Sequence, residues 1–552
     1  MRSDNIRTAD GIDRRKMMKA LVAGGFLTIA GCGGGGGDGG DGGGGDGGDG
    51  GGGDGGDGGD GGDGGDGGGG DGGDGGPEGY LEEAQSLPWT ENWQERLGYA
   101  NPMESWPPED RQDVPPGDQP TDWAGRGAVE TAVYSLPEGW EDTSAADVDN
   151  IQIANFGSLE FDPATVARHE VFTRETGISR DYITSEVNTA IPQQQSFLSS
   201  QQGSPVAFNV ELQTFTSFVQ NGWIETQQPL WGDGGPFEAF PDVVSEVLSS
   251  DRDPDSDEEQ VYYAPQIMNM PVYHVNRALL EEQGVDPEIA NGEWTWDDLD
   301  TVIDAFQDVE AMGFAFHGAN DVYTLFDFML TVYQQGGQFV ADDGTVQFNT
   351  DAHYRAMNRL VDMVDRLPQS ILNFGQGDLT DVFLSENAAI TWRWSSFVPE
   401  ALSNFGDDYY MAKPPAATEG PDPAQRSMFN PNLLAINPFA SDAKKLAALT
   451  LADVNRSYAA SWWEYTYEGN LSYATQVYED ALQMQEMLPE WQQLFSEQIA
   501  ETQELSNVEV WPSMNATQQR TAEEISLALA GEKSPDQAVE DLQSYIDEVL
   551  QQ

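Results

Sequence analysis

The stretch YHVNRALLEEQGVDPEIANGEWTWDDL, residues 273–299, decides the fold of this chain. Residues 273–276 predict a short strand, and residues 278–283 predict a helix directly after it. Thr295 predicts the N-cap of a further helix, because Asp298 three residues later can complete a capping box. A strand followed by helices is the repeating unit of an α/β domain.

The same alternation extends to both sides of this stretch. The predicted strands cover residues 150–155, 181–186, 205–210, 313–317 and 388–392. The predicted helices cover residues 163–176, 191–202, 214–228, 324–335, 352–366 and 379–384. After Pro438 the pattern is almost entirely helical, and Ser534-Pro535 opens the last helix. Strands that alternate with helices favour mostly parallel sheets flanked by helices.

The charge of the chain is extreme. Among 552 residues, 95 are Asp or Glu and 25 are Lys or Arg, for a net charge of −70. Such self-repulsion destabilises a compact chain unless salt screens it, and at molar salt the Debye length is only ~3 Å. The composition therefore predicts a protein from an extreme halophile. It also excludes general nucleic-acid binding, which requires the opposite charge.

The amino terminus has the features of an export signal. Residues 1–32 carry six Lys or Arg, with Arg14-Arg15 before a short apolar run at residues 20–30. Eleven residues are too few for a membrane-spanning helix, which needs ~20. A basic region, a short apolar region and small residues together predict an export signal, and the paired arginines resemble a twin-arginine signal.

Cys32 is the only cysteine in the chain. It ends the sequence Ile29-Ala30-Gly31-Cys32, which resembles a lipobox, so we expect Cys32 to be lipidated. Residues 33–76 consist only of Gly and Asp and predict a disordered tether. Together these features predict a protein held on the extracellular face of the membrane by a lipid anchor. Three Asn-x-Ser/Thr triplets, candidate glycosylation sites, agree weakly with this location: Asn455, Asn470 and Asn515.

Residues 77–146 form a separate region rich in Trp and Pro. The Pro107-Pro108 and Pro115-Pro116 pairs exclude a long helix through the middle of this region. We predict a mostly irregular arm that packs its aromatic side chains on the main body. The tryptophans concerned are Trp89, Trp93, Trp106, Trp123 and Trp140.

Five segments resemble, in the same order, the motifs of the family 1 extracellular solute-binding proteins, the maltodextrin-receptor-like sugar receptors of ABC importers. They are residues 273–296, residues 336–349, residues 383–390, residues 432–448 and residues 530–538. The resemblance covers roughly residues 148–550. The chain departs from the family at Pro205-Val206-Ala207, which lacks the usual acid, and in the arm, which has no counterpart.

The resemblance implies a two-lobed periplasmic-binding-protein-like α/β fold with a hinge. It places residues 147–269 and 396–437 in lobe one, and residues 270–395 and 438–552 in lobe two. It further implies a monomer that binds a sugar or oligosaccharide between the lobes and delivers it to a membrane permease of an ABC transporter. It implies no enzymatic activity and no cofactor.

A sugar site needs aromatic platforms for the ring faces and amide, acid and Arg side chains for the hydroxyls. Residues at predicted strand ends or at family-matched positions meet these needs. For each of them, the alternative interpretation is a purely structural role. Tyr323 and Trp394 are the expected platforms, although Trp392 is an alternative to Trp394. Arg520 matches a sugar-contacting Arg but could instead pair with Glu524. The remaining candidates are Ser158, Asn209, Glu211 and Asn269.

Enzyme signatures are scarce in the sequence. The four histidines have no metal-binding spacing, and no GxSxG, Walker or Rossmann motif is present. We therefore expect no metal site. With so many carboxylates, the sequence does not exclude a pair of acids placed for glycoside hydrolysis. A secreted glycosidase or lyase, or a receptor for a non-sugar solute, is the alternative.

Overall fold

The structure is a computed structural model. It describes residues 77–101, 129, 132–156, 163–185, 187–211, 214–231, 249–250, 260–341, 345–472, 474, 476–477, 480, 505–507 and 514–551. The predicted signal, the predicted tether, Cys32 and Ser158 lie outside the described residues.

The described residues contain strands and helices in alternation. The strands are β1 Asn150–Phe156, β2 Ser179–Ser185, β3 Ala207–Glu211, β4 Ser249–Ser250, β5 Gln260–Val261, β6 Ala264–Asn269, β7 Pro271–Asn276, β8 Met312–Ala315, β9 Ala388–Trp394, β10 Tyr409–Ala412, β11 Ser427–Ile436 and β12 Leu505–Asn507. The helices are α1 Pro77–Ser86, α2 Trp93–Arg96, α3 Pro163–Thr176, α4 Val187–Ser199, α5 Phe215–Gln220, α6 Arg277–Glu282, α7 Trp296–Ala305, α8 Val322–Tyr333, α9 Asp351–Val364, α10 Gln376–Leu384, α11 Val398–Phe405, α12 Asp442–Asn455, α13 Tyr458–Tyr467, α14 Met514–Leu529 and α15 Pro535–Gln551.

The predicted strand–helix unit after residue 273 is confirmed. Asn276 ends β7 and caps α6, since its side chain accepts a hydrogen bond from the Leu279 main-chain N–H at 3.1 Å. Thr295 caps α7, and Asp298 accepts its main-chain N–H at 2.8 Å. These local bonds satisfy N–H groups that the first turn of each helix leaves unpaired.

The first sheet has the strand order β12-β11-β3-β1-β2, and β6 also pairs with β11. Strands β1, β2 and β3 run parallel, whereas β11 runs antiparallel to β3 and β6. Helix α3 packs on α12 and α13, and α12 packs on β1, β6 and β11 of this sheet. Parallel pairing requires crossover connections, and the predicted helices between the strands provide them.

The second sheet has the strand order β10-β7-β9-β8. Strand β9 is parallel to β8 and antiparallel to β7. Helix α7 packs on β8, while α8, α9, α14 and α15 pack on one another. Their buried side chains, with those of the sheet, form a core distinct from the one beneath the first sheet.

The two sheets meet at two crossing segments. Met270 separates β6 of the first sheet from β7 of the second. Strand β11 begins beside that point, because the Ser427 hydroxyl donates to the Pro271 carbonyl at 2.7 Å. The last residue of β9, Trp394, pairs with Pro271. The carboxyl end of β9 therefore lies at the junction between the sheets.

The arm packs on the first lobe with its aromatic side chains buried. Trp89, Trp93 and Trp140 are at most 8 % exposed and belong to the core of the first sheet. The arm is more helical than expected, since α1 and α2 lie in it. Trp106 and Trp123 lie outside the described residues.

The structure differs from the expected division into lobes at residues 442–467. The division places these residues in lobe two, yet α12 packs on α3 and β6, and α13 packs on α3. Residues 396–412, expected in lobe one, contact both lobes: β10 pairs with β7 of the second sheet, whereas Phe397, Val398 and Ala401 belong to the core of the first sheet. The physical reason is that an apolar helix can cover either sheet, and its sequence does not specify which.

Two of the three candidate glycosylation sites are buried in this structure. Asn455 is 0 % exposed and Asn470 is 2 % exposed, with the Asn470 amide donating to Glu464 at 2.6 Å. A glycan could not be accommodated at either side chain in this packed state. The side chain of Asn515 lies outside the described residues. Within the described part of the chain, no helix combines the length and apolarity needed to cross a membrane.

Candidate functional site

Two buried amides mark the carboxyl edge of the first sheet. The register pairs Ala154 of β1 with Phe208 of β3, so Asn155 and Asn209 follow side by side. They are 2 % and 0 % exposed, and neither side-chain amide has a hydrogen-bond partner among the described residues. An unsatisfied buried polar group costs about 1–3 kcal/mol. Two adjacent ones at the end of parallel strands indicate groups that await a ligand or water.

Asn269 ends β6 at the crossing segment. Its partner in the sheet is Asn430 of β11, and its side-chain carbonyl is buried without a hydrogen-bond partner. The first sheet therefore presents a third unpaired amide oxygen, beside the junction of the two sheets. Glu211 ends β3, and its main chain pairs with Asn432 of β11. The Glu211 side chain, like Ser158, lies outside the described residues.

Tyr323 lies at the start of α8, on the second lobe. Asp321 caps this helix by accepting the Tyr323 main-chain N–H at 2.9 Å. The Tyr323 ring is half-buried and stacks on the His317 ring, with centroids 5.1 Å apart and an interplanar angle of 22°. The cap fixes the direction of the first turn of α8, and this turn carries the ring that stacks on His317, two residues after the end of β8.

Trp394 lies at the end of β9, where the two sheets meet. It is 7 % exposed and makes edge-to-face contacts with Trp392 and Phe326, at centroid distances of 5.8 and 5.5 Å. Trp392 is 1 % exposed, and its indole N–H donates to Asp327 at 2.5 Å. Trp392 is thus a core residue of the second lobe. Trp394 is the tryptophan that adjoins the crossing segment and keeps some exposure.

Arg520 is paired with acids of its own helix. Its guanidinium contacts Glu523 at 2.8 Å and also forms an i,i+4 pair with Glu524. The structural alternative foreseen from the sequence is therefore present. A contact between Arg520 and a ligand stays a prediction, and it requires the guanidinium to leave or share these partners.

Sequence reasoning missed a polar cluster behind the platforms. Asp327, 4 % exposed, accepts from His317 and from Trp392. Burial raises the pKa of the Asp327 carboxyl, while the donors from His317 and Trp392 oppose that rise. The one available signal was an acid inside the otherwise apolar stretch of residues 325–330. A carboxylate is costly there unless it is fully hydrogen-bonded.

Arg393 is a second missed residue, between the two tryptophans of β9. It is 9 % exposed, donates to the Gln376 carbonyl at 2.6 Å and to the Thr380 hydroxyl, and lies over the Phe397 ring. Burial lowers the pKa of this guanidinium to about 10. The hydrogen bonds of Arg393 described above go to neutral acceptors. The buried guanidinium groups of Arg96, Arg168 and Arg456 differ, because each contacts a carboxylate.

A further aromatic cluster lies in the core of the first lobe. Trp462, Trp463 and Tyr465 are at most 2 % exposed and pack beneath the first sheet. Within the described ranges, no group of three His, Cys, Asp or Glu residues is placed to hold a metal ion.

The architecture matches solved structures of two-lobed binding proteins. The maltose-bound MalE3 of T. maritima superposes with a TM-score of 0.63 at 16% identity, over 73% of this chain and 100% of that one. A solute-binding protein of an ABC transporter from Thermotoga lettingae, bound with α-D-tagatose, gives 0.61 at 17% identity, over 73% and 100%. An ABC substrate-binding protein from Listeria monocytogenes in complex with cycloalternan gives 0.60 at 16% identity, over 73% and 99%.

The fold is therefore α/β and of the two-lobed, MalE-like binding-protein class. The neighbours named above are binding proteins rather than enzymes. No protein-family model matches the sequence, and neither does any curated protein.

Proposed function

We propose that this protein is the extracellular substrate-binding receptor of an ABC importer and that it binds a sugar or short oligosaccharide between its lobes. The observation that carries the proposal is the combination of two features, one in each lobe. The first lobe presents the unpaired amides of Asn155 and Asn209 and the unpaired amide oxygen of Asn269. The second lobe presents the half-buried ring of Tyr323, and Trp394, which pairs with Pro271 at the crossing segment.

This pairing suits the chemistry of a sugar. The hydroxyls at the ring edge need donors and acceptors, and an amide supplies both from one side chain. The C–H groups on the ring face need an apolar surface, and an aromatic ring supplies one with few internal degrees of freedom to restrict. The structural neighbours agree with this class of ligand, since their structures hold maltose, tagatose and cycloalternan.

The amino-terminal sequence supports the location that such a receptor requires. A twin-arginine-like signal, lipidation at Cys32 and the Gly/Asp tether at residues 33–76 would hold the folded body near a permease, outside the cell. One lipid chain anchors only marginally, so we expect two chains or a second membrane signal. The acidic surface and scarce lysines fit an extreme halophile, in whose salt such a surface is screened.

Calorimetric titration of the purified body in molar potassium chloride tests the function. The panel is maltose, a longer maltodextrin, tagatose, ribitol and mannitol, with each ligand recovered and analysed afterwards. A receptor binds at least one member and returns it unchanged. Hydrolysis or elimination of a panel member would instead identify the rival, a carbohydrate-active enzyme. No binding to any sugar, with binding to glycerol phosphate or a polyamine, would replace the sugar by another solute.

A further inference from the structure

One buried carboxylate contacts the supports of both proposed platforms. Asp327 lies on α8, one turn after Tyr323, and is 4 % exposed. One of its oxygens, Oδ2, accepts the main-chain N–H of His317 at 3.1 Å and the His317 ring Nδ1 at 2.9 Å. Its other oxygen, Oδ1, accepts the indole N–H of Trp392 at 2.5 Å. Each partner in turn supports a platform ring.

His317 supports Tyr323 through a stacked contact, with ring centroids 5.1 Å apart. Trp392 supports Trp394 through an edge-to-face contact, with centroids 5.8 Å apart and planes at 90°. His317 and Trp392 also contact each other at 4.6 Å. The four rings therefore form a continuous aromatic wall, and Asp327 holds its two inner members.

We propose that Asp327 is a positioning residue for ligand binding, which fixes the ring of Tyr323 through His317 and the ring of Trp394 through Trp392. This inference rests on the proposed function, because it assigns the two outer rings to the ligand. Asp327 itself lies behind the wall and is not assigned a ligand contact.

The chemical cost of Asp327 supports this role. The residue interrupts a helix whose neighbouring positions 324–326 and 328–330 are all buried, and an apolar side chain there would avoid the desolvation of a charge. Three donors on one carboxylate also have a structural effect that an apolar side chain lacks. Hydrogen bonds to a charged acceptor are short and directional, so they fix the orientation of both inner rings rather than only burying them.

The test compares Asp327→Asn with a matched control, Asp453→Asn. Asp453 is also a buried acid with Arg and Tyr donors, but it lies on α12 in the first lobe. Both variants are titrated with the tightest binder among maltose, tagatose and ribitol, at a temperature where each is fully folded. We expect Asp327→Asn to weaken binding about tenfold, because a displaced platform loses stacking area. Asp453→Asn should bind as tightly as the wild type.

The second readout is ¹⁹F NMR of protein labelled with 5-fluorotryptophan, with the signals assigned through Trp392→Phe and Trp394→Phe. In Asp327→Asn the signals of both Trp392 and Trp394 should shift, although it is the Trp392 indole that donates the hydrogen bond to residue 327. In Asp453→Asn both signals should stay in place. Trp392→Phe keeps an aromatic ring but removes the hydrogen bond to Asp327. It should therefore weaken binding less than Asp327→Asn does. It replaces Asp327→Asn in the test if that variant does not fold.

Unchanged affinity in both Asp327→Asn and Trp392→Phe, or an unshifted Trp394 signal, would overturn the positioning role while leaving the receptor function intact. A wild type that binds no member of the panel overturns the sugar-receptor function, and the positioning role with it.

Discussion

The guanidinium of Arg96, in the arm, contacts the carboxylate of Asp453 on α12 at 2.5 Å, although the two residues are 357 positions apart in the chain. Asp453 also accepts from Arg456 at 2.5 Å and from the Tyr134 hydroxyl at 2.9 Å. All four side chains are at most 7 % exposed. The arm is thus joined to the first lobe by a buried charge network rather than by surface contacts.

Removal of the charge at Asp453 should be strongly destabilising. Asp453→Asn leaves two buried guanidinium groups without a full counter-charge, and breaking a buried ion pair on one side costs about 3–5 kcal/mol. Chemical denaturation at constant high salt measures the loss. The matched control is Asp422→Asn, whose partner Arg426 lies four residues along and whose side chain is 74% exposed. That change should cost less than about 1 kcal/mol. Equal effects of the two variants would contradict the network.

Loss of the Trp394 ring should reduce affinity as well as stability. At 7 % exposure, Trp394→Ala should cost about 3–5 kcal/mol of folding free energy. If the ring is also a platform, binding should weaken by at least about tenfold in the folded protein. Trp462→Ala is the control, since that tryptophan is 2 % exposed in the first lobe and should lose stability alone. Wild-type affinity in Trp394→Ala would remove this residue from the site.

Folding should require salt. The net charge of −70 opposes compaction, and lowering the salt from molar to about 0.1 M lengthens the Debye length from about 3 to about 10 Å. We expect the Tm to fall steeply over this range. Trimethylamine N-oxide is the control, because it favours burial without screening charge and should rescue the protein only partly. A Tm independent of salt would contradict the halophilic interpretation.

Acid should destabilise the fold through buried histidines, since burial lowers the pKa of His169, His274 and His353. Burial lowers the pKa of His274 and of His353 to about 3, against an ordinary value of about 6.5. Below pH 6.5 these histidines bind protons in the unfolded chain but stay neutral in the folded protein. Each histidine therefore removes about 1.4 kcal/mol of folding free energy per pH unit between about pH 6.5 and pH 3, and nothing above that range.

The variant His353→Gln isolates one of these contributions. His353 packs against Phe339 and Phe348, and its ring nitrogen bonds the Thr350 hydroxyl at 2.6 Å. The variant should lose stability at pH 7.5 but show a shallower decline toward pH 5 than the wild type. Denaturation curves at both pH values measure the difference. Parallel declines in the two proteins would show that His353 does not remain neutral.

Membrane attachment should depend on one residue. Cys32→Ala should release the protein from the membrane fraction into the medium, because the Gly/Asp tether offers no other anchor. The double variant Arg14→Lys, Arg15→Lys should block export by the twin-arginine route. The Cys32→Ala variant is the control for export, because it keeps both arginines and should still leave the cell. Fractionation and immunoblotting distinguish the outcomes. Retention of the Cys32 variant on cells would refute lipid anchoring.

Local patterns in the sequence determined much of this fold. Residues 163–176 were predicted as a helix and are one, and the strand at residues 150–155 extends by a single residue. The Thr295 and Asp298 capping box formed as expected. These features depend on residues at most four positions apart or on a simple period of polarity, so neighbouring side chains are enough to specify them.

The site could be predicted only in part, for a related reason. Asn209, Asn269, Tyr323 and Trp394 were recognisable as polar or aromatic groups at strand ends or at family-matched positions. Asn155 was passed over because a single Asn at the end of an alternating strand has an ordinary explanation. Its significance comes from the register that places it beside Asn209, and register is a property of two strands rather than of one.

Only the tertiary structure decided which lobe each helix joins and which partner each buried polar group finds. Residues 442–467 lie with the first lobe rather than the second, because an apolar face specifies burial but not the surface that buries it. Asp327 could be read from the sequence only as a misplaced acid. Its bonds to His317, ten residues away, and to Trp392, 65 residues away, exist because the second sheet brings three chain segments together.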